Sequence, residues 1–171
     1  MIDYQHCRSA RIALSERNDC VVRACAVATQ RSYTQMRSFL AFYGRKHGQG
    51  MHPEEYHKAL LDIGYTLERL TGPKYLHTGY LVQGHWVTRQ GVEYWKPDHY
   101  RYGRKLAPAY AQPAHVDYKS ATVAKLKHEL TSGTYLVNTQ RHVLCLRDGV
   151  VHDYTRDKRT RIRAVYRVTQ E

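Results

Sequence analysis

The segment from Arg141 to Tyr154 constrains the fold more than any other part of the chain. Apolar and polar residues alternate on both sides of Asp148-Gly149. An Asp-Gly pair between such runs is the strongest short-range signal of a β-hairpin. If these two residues form the turn, Arg147 faces Val150. The sequence therefore predicts a two-stranded antiparallel hairpin in this segment.

The predicted register places a histidine and an aspartate on one face of the hairpin. Leu144 would face Asp153, and His142 would lie diagonally from Asp153, because side chains two apart on a strand share a face. Diagonal partners have backbones roughly 7–8 Å apart, within reach of an imidazole and a carboxylate. A three-residue turn would instead place them on opposite faces. An Asp that orients a His is half of a catalytic triad, so a nucleophile is expected elsewhere in the chain.

Cys20 is the candidate nucleophile. It stands at the start of an apolar stretch in which Val21 and Cys25 recur at helical spacing. Asn18 and Asp19 directly before it are both good N-cap residues, which predicts that a helix begins there. Free N–H groups and the helix macrodipole favour a thiolate in the first turn, and the thiolate is the attacking form of cysteine.

The other cysteines are interpreted as ordinary core residues. A lone Cys in an apolar element is usually a small hydrophobic side chain, and Cys25 and Cys145 fit that description. The four cysteines, which also include Cys7, contain no CxxC pair. This favours reduced thiols over a disulfide framework.

The order Cys, His, Asp, with the Cys opening a helix, resembles the papain-like cysteine peptidase superfamily. Two stretches, at about residues 15–64 and 120–168, are most similar to compact bacterial and phage members near the bacteriocin-leader peptidases. The motifs that carry this resemblance are Asn18-Asp19-Cys20, Gly133-Thr134-Tyr135-Leu136-Val137, His142, Asp148-Gly149 and Asp153-Tyr154. The resemblance implies a papain-like α+β fold in which Cys20 is the nucleophile, His142 the general base and acid, and Asp153 the orienting group.

The chain departs from the family at the oxyanion position. Members usually carry a Gln shortly before the Cys, and its side chain helps to hold the oxyanion. Leu14 occupies that position here. Asn18 is the candidate substitute, since its amide could donate beside the Cys20 backbone N–H; the alternative is that Asn18 is a plain N-cap. Loss of one oxyanion donor lowers rates by about 10²–10³-fold.

The order of predicted elements indicates one α+β domain, with N-terminal helices packed on a C-terminal antiparallel sheet. A length of 171 residues suits a single domain, 1–171, with an irregular insertion at about 71–118. The insertion would either shape a substrate groove or form a surface loop. Helices are predicted at 32–44 (with a Ser32/Gln35 capping box), 53–64 and 122–130, strands at 65–70, 80–82, 86–88, 134–139 and 160–168, and an irregular stretch at 94–118.

The formal net charge of +12 implies attraction to polyanions or to an acidic protein. Near the C-terminus, alternation places Ile162, Ala164, Tyr166 and Val168 on one strand face. The opposite face and the preceding loop form a basic ribbon, which we define as Arg156, Lys158, Arg159, Arg161, Arg163 and Arg167. The ribbon is either a polyanion-binding face or the solvated surface of an edge strand that charge protects from aggregation.

No cofactor or metal is expected. His47, His52 and His57 are spaced by five and have no Cys or carboxylate partner at ligand spacing. The N-terminus lacks the pattern of a signal peptide, and no apolar stretch approaches the length of a membrane span. A cytoplasmic location is therefore expected, in the host cytoplasm if the chain is of phage origin.

Two functional hypotheses follow. The first is a thiol hydrolase, most simply a cysteine peptidase or a deconjugase, that cleaves an amide bond in a protein or peptide substrate. The alternative is a catalytically inactive basic binding protein of the same fold, which contacts nucleic acid or an acidic host protein.

Overall fold

The computed structural model describes residues 1–70, 121–154 and 160–171, together with the backbone of two strands between them. The chain divides into two compact units. The first comprises Met1–His77 and Ser120–Glu171, and the second comprises Thr78–Lys119. All of the proposed catalytic residues belong to the first unit.

The helices of the first unit begin where the local sequence favours a helix start. Ser32 and Gln35 form the predicted capping box, and Pro53 opens the fourth helix with acidic residues in its first turn. The described helices are α1 (Tyr4–Ala13), α2 (Cys20–Thr29), α3 (Tyr33–Phe42), α4 (Pro53–Leu61) and α5 (Val123–Glu129).

The strands of the first unit form one antiparallel sheet with the order β1-β7-β4-β5-β6. Its strands are β1 (Tyr65–Arg69), β4 (Thr134–Thr139), β5 (His142–Arg147), β6 (Val150–His152) and β7 (Ile162–Gln170). The described strands of the second unit, β2 (Gly84–Arg89) and β3 (Val92–Pro97), pair with each other as an antiparallel hairpin. The unit that contains the five-stranded sheet is an α+β domain.

The Asp-Gly turn adopts the predicted register. Arg147 pairs with Val150, and Leu146 pairs with Val151. Asp148 and Gly149 both have positive φ, 49° and 75°. This is the backbone conformation that a two-residue hairpin turn requires, and Asp-Gly tolerates it better than most pairs.

Apolar residues cover both faces of the sheet. On one face, α2 packs on β5, and Val22 and Cys25 join Leu136 and Cys145 in a buried cluster. On the other face, Leu126 of α5 belongs to a second cluster that includes β-strand residues. Burying one Leu or Val side chain stabilises a fold by about 1.5–3 kcal/mol, so these clusters hold α2 firmly against the strand that begins at His142.

Most of the predicted elements are confirmed, but α1 and β3 were not predicted. Helix α1 buries only Cys7, and half of its residues are Gln, His, Arg or Ser, so it is too polar overall to be recognised by its apolar residues. Residues 94–97 belong to β3 rather than to an irregular stretch. The predicted strand at 86–88 lies within β2. The predicted strand at 80–82 and residues 98–118 lie outside the described residues.

The structure contradicts one of the two alternatives for the basic ribbon, the edge strand, and the predicted alternation of the C-terminal strand. Strand β7 lies between β1 and β4, so it is not an edge strand. Its faces also differ from the predicted pattern, because Thr139 pairs with Ile162 while Asn138 pairs with Ala164, which leaves Arg163 as the extra residue of a bulge. Ile162 therefore belongs to the α5 cluster, whereas Val168 belongs to the α2 cluster.

Candidate active site

The start of α2 positions Cys20. The N-cap residue is Asp19, whose carboxylate makes no capping hydrogen bond. The first N–H groups of a helix have no intrahelical acceptor, so they remain available to a group bound at this end. The Cys20 side chain is half-buried and accepts hydrogen bonds from the His142 side chain and from the backbone of Val143.

His142 joins Cys20 to Asp153. Nε2 of His142 lies 2.8 Å from Oδ2 of Asp153, and the Asp153 side chain is only 3% exposed. Burial alone would lower the pKa of His142. Its hydrogen bonds to Asp153 and Cys20 outweigh burial and raise that pKa from 6.5 to about 9.

The thiol of Cys20 differs from the other three. Burial opposes its ionisation, but the hydrogen bonds from His142 and Val143 and the charge of Arg23 lower its pKa below the ordinary value of 9.0. Burial raises the pKa of Cys7 to about 12 and also raises the pKa of Cys25 and Cys145. Because the pKa of His142 is raised and the pKa of Cys20 is lowered, the pair favours a thiolate beside an imidazolium.

Arg23 is a site residue that the sequence analysis missed. It lies one turn after Cys20, its side chain is 10% exposed, and it contacts two buried carboxylates. Its Nε donates to Oδ1 of Asp19 at 3.1 Å, and its Nη1 lies 3.7 Å from Oδ1 of Asp153. The available signal was a single charged residue inside an otherwise apolar helix, which requires a buried partner.

Asp19 completes this buried network from the other side. Its Oδ2 accepts a hydrogen bond from the Tyr33 hydroxyl at 2.9 Å, and Arg11 lies 3.5 Å from its Oδ1. The carboxylate is therefore satisfied by side chains rather than by the helix backbone. The network connects the start of α2 to Asp153 through Arg23, so it fixes the nucleophile and the orienting group relative to each other.

Asn18, the oxyanion candidate, adjoins Cys20 but is not an N-cap. It adopts a left-handed backbone with φ 48°, and its side-chain amide donates to the Gly48 carbonyl at 2.8 Å. An amide has two N–H groups, so this bond leaves a second donor. Asn18 lines the same cleft as Cys20. Leu14 is the C-cap of α1.

Glu16 anchors the loop that approaches Asn18. Its carboxylate is buried and contacts Arg37 at 2.7 Å and Arg45 at 3.2 Å, and it accepts the backbone N–H of Gly48 at 2.7 Å. Burial would raise the pKa of Glu16, but the bonds from Arg45, Arg37 and two backbone N–H groups hold it well below its ordinary value. No local pattern in the sequence marks Glu16, since its arginine partners are distant in sequence.

Cys20, His142 and Asp153 line a cleft of about 1130 Å³. The cleft is lined by α1, by the start of α2, by the turn before β5 and by the residues around Asp153. This volume is sufficient for a peptide segment or a comparably large ligand. Helix α1, absent from the predicted elements, therefore forms one wall of the candidate active site.

The basic ribbon is only partly described. Arg156, Lys158 and Arg159 lie outside the described residues. Arg161 and Arg163 are exposed, and Arg167 lies 3.5 Å from Glu68 on the neighbouring strand. In the part of the chain that the structure describes, no group of three or more His, Cys, Asp or Glu side chains could hold a metal ion.

Comparisons of the chain with family models, curated proteins and solved structures gave no significant match. Within the described residues, none of the helices has the length and apolarity needed to cross a bilayer. The interpretation of the site therefore depends on its geometry and chemistry.

Proposed function

We propose that this chain is a thiol hydrolase with a papain-like arrangement, a cysteine peptidase or deconjugase that cleaves an amide bond. The observation that carries the proposal is the hydrogen-bonded row Cys20–His142–Asp153 at a helix N-terminus, open to a large cleft. A buried structural cysteine does not need a base, and a structural histidine does not need both a thiol and a carboxylate.

Cys20, His142 and Asp153 each have a role in the proposed reaction. The Cys20 thiolate attacks the substrate carbonyl carbon, a C–S bond forms, and the carbonyl electrons move onto oxygen. As the oxyanion collapses, the C–N bond breaks and the His142 imidazolium protonates the departing amine. His142 then takes a proton from a water molecule as that water attacks the thioester carbon. The C–S bond breaks, the carboxylic acid product leaves, and the Cys20 thiolate and the His142 imidazolium are restored. Asp153 holds the imidazole in the required orientation throughout.

The start of α2 supplies the electrostatic contribution. The backbone N–H of Cys20 has no intrahelical acceptor and lies beside the sulfur, where the oxyanion would form. The second N–H of the Asn18 amide is the proposed second donor. This arrangement would replace the side chain that the family usually supplies from the position of Leu14.

The test is cleavage of a complex peptide mixture, read by mass spectrometry, with the parent protein and the Cys20→Ala variant side by side. The mixture should include isopeptide-linked conjugates, so that peptidase and deconjugase activities are both detected. Cleavage products that disappear in Cys20→Ala support the proposal. If Cys20 also fails to react with alkylating agents below the pH at which ordinary thiols react, the site is not a thiol hydrolase.

The competing proposal is a basic binding protein without catalysis. The observation in its favour is the net charge of +12 together with exposed arginines on β7. It gives no reason for a lowered Cys20 pKa or for the Cys20–His142 hydrogen bond. It predicts salt-sensitive binding to nucleic acid that survives Cys20→Ala.

A further inference from the structure

The cleft around Cys20 contains more positive charge than its own carboxylates neutralise. Three aspartates line it, and two of them are already engaged: Asp19 and Asp153 are buried and both contact Arg23. The third, Asp3, accepts the backbone N–H of His6 at 2.9 Å and caps α1. The acidic groups of the cleft therefore serve the protein's own structure.

Two arginines of the cleft have no such engagement. Arg8 projects from α1 and Arg141 from the turn directly before His142, and both side chains are exposed. Within the described part of the chain, neither has a carboxylate partner. Arg11 and Arg23 also line the cleft but are paired with Asp19. The unpaired guanidinium groups thus stand on two different walls of the same cleft as the nucleophile.

The backbone at Arg141 adopts a conformation that is unusual for an arginine. Its φ is 60°, in the left-handed region that residues other than Gly, Asn and Asp rarely adopt. Such a conformation carries an energetic cost and is concentrated at functional sites. A glycine would fit the turn without that cost, but it would place no charge beside His142.

We infer that the substrate carries a carboxylate close to the amide bond that is cleaved, and that Arg8 and Arg141 bind it. This inference rests on the proposed function and specifies its substrate class, an acidic peptide. A guanidinium pairs with a carboxylate through two parallel N–H···O bonds, which gives both affinity and orientation. The carboxylate is either an Asp or Glu side chain or the C-terminus of the substrate.

The test uses Cys20 itself as the reporter, so it does not require a known substrate. The alkylation rates of Cys20 by iodoacetate, an anion, and by iodoacetamide, its neutral counterpart, are measured by mass spectrometry at low ionic strength. Their ratio is divided by the same ratio for glutathione. We expect the corrected ratio to exceed one in the parent protein and to fall roughly threefold to tenfold in an Arg8→Gln/Arg141→Gln double variant.

A matched control removes two positive charges outside the cleft. Arg163→Gln/Arg167→Gln lowers the net charge equally, and neither residue lines the cleft. The ratio should stay near the parent value in this variant and should decline with added salt in the parent. Equal ratios in the parent and the cleft variant, or an equal fall in both double variants, would overturn the inference.

Three iodoacetyl peptides identify the source of the carboxylate. Iodoacetyl-Gly-Glu-Gly-amide carries a side-chain carboxylate, iodoacetyl-Gly-Gln-Gly with a free C-terminus carries a terminal one, and iodoacetyl-Gly-Gln-Gly-amide carries neither. Faster reaction of the first or the second peptide assigns the source, and equal rates for all three argue against the inference. The comparison is also valid at pH 9, where an ordinary thiol ionises, so its failure is distinguishable from the failure of the proposed catalysis.

Discussion

His142 is the first residue of β5 and Asp153 directly follows β6, and their side chains meet at 2.8 Å between Nε2 and Oδ2. The contact depends on the two-residue turn at Asp148-Gly149, since a three-residue turn would place the two side chains on opposite faces of the hairpin. Because Cys20 hydrogen-bonds to the same imidazole, one ring connects the thiol with the carboxylate.

Cys20 should react with iodoacetamide at a lower pH than the other three thiols. Its pKa is lowered, whereas burial raises those of Cys7, Cys25 and Cys145. Alkylation should therefore rise as the pH passes the lowered Cys20 pKa, while hydrolysis should decline above about pH 9, where the His142 imidazolium is lost. Mass spectrometry of each cysteine across pH 5 to 10 measures the first profile. Labelling of Cys25 or Cys145 at a lower pH than Cys20 would contradict the assignment of Cys20 as the nucleophile.

The His142→Ala variant should move the Cys20 labelling midpoint to higher pH. The imidazole makes the largest contribution that opposes burial and lowers the thiol pKa. His152, which also lines the cleft and has a pKa lowered by burial, offers a matched control. His152→Ala should leave the midpoint in place. An unchanged midpoint in His142→Ala would remove the base from the proposed mechanism.

The Asp153→Asn variant should lose hydrolysis, and its stability should fall because Arg23 loses one of its two carboxylate partners. An amide in place of the carboxylate neither stabilises the imidazolium nor fixes the ring tautomer, and comparable changes in triads lower rates by roughly 10⁴-fold. The pKa of His142 should fall from about 9, which a proton NMR titration of its ring measures. A variant with near-parental activity would assign Asp153 a purely structural role.

Arg23→Gln should destabilise the fold and raise the Cys20 pKa. Removing one member of a buried charge network costs about 3–5 kcal/mol, because Asp19 and Asp153 both lose a cationic partner. Arg23 also helps to lower the Cys20 pKa, so the labelling midpoint should move up. Denaturant unfolding and the labelling profile measure the two effects. Arg23→Lys keeps the charge and should restore the midpoint more fully than the stability.

Glu16→Gln should be less stable than the parent, with a difference that depends on pH. The pKa of Glu16 in the folded protein lies well below its ordinary value of 4.5, so its ionised form stabilises the fold at pH values above 4.5. That contribution is lost as the pH falls from 4.5 through the folded-state pKa. Urea unfolding at pH 7 and at pH 3 should therefore show a larger difference at pH 7. An equal difference at both would mean that the charge of Glu16 is not what anchors the loop.

The Arg161→Gln/Arg163→Gln/Arg167→Gln variant tests the polyanion hypothesis. If β7 contacts phosphates, each lost contact should reduce the slope of log affinity against log salt by about one unit. Fluorescence anisotropy with labelled DNA and RNA measures this slope. Binding that is absent at low salt in the parent, or unchanged in the variant, would leave the ribbon as a solvated surface.

The sequence alone was sufficient for features that depend on neighbouring residues. Asp148-Gly149 encodes a positive-φ turn and thereby the register that joins His142 to Asp153. Likewise, the Ser32/Gln35 capping box marks the start of α3, and Asp19-Cys20 marks the N-terminus of α2, where the thiol lies. Each of these is a local preference of the backbone, which a short stretch of sequence determines.

Only the tertiary structure decided the features that need partners from distant segments. The Asp19–Arg23–Asp153 network joins α2 to the hairpin. Glu16 forms ion pairs with Arg37 and Arg45, which come from two later segments of the chain. The bulge at Arg163 follows from pairing with β4, which the alternation within β7 cannot reveal. Helix α1 is polar over most of its length and becomes a wall of the cleft only through the packing around it. Buried charge depends on long-range geometry, and a linear pattern does not encode which remote carboxylate will reach a given arginine.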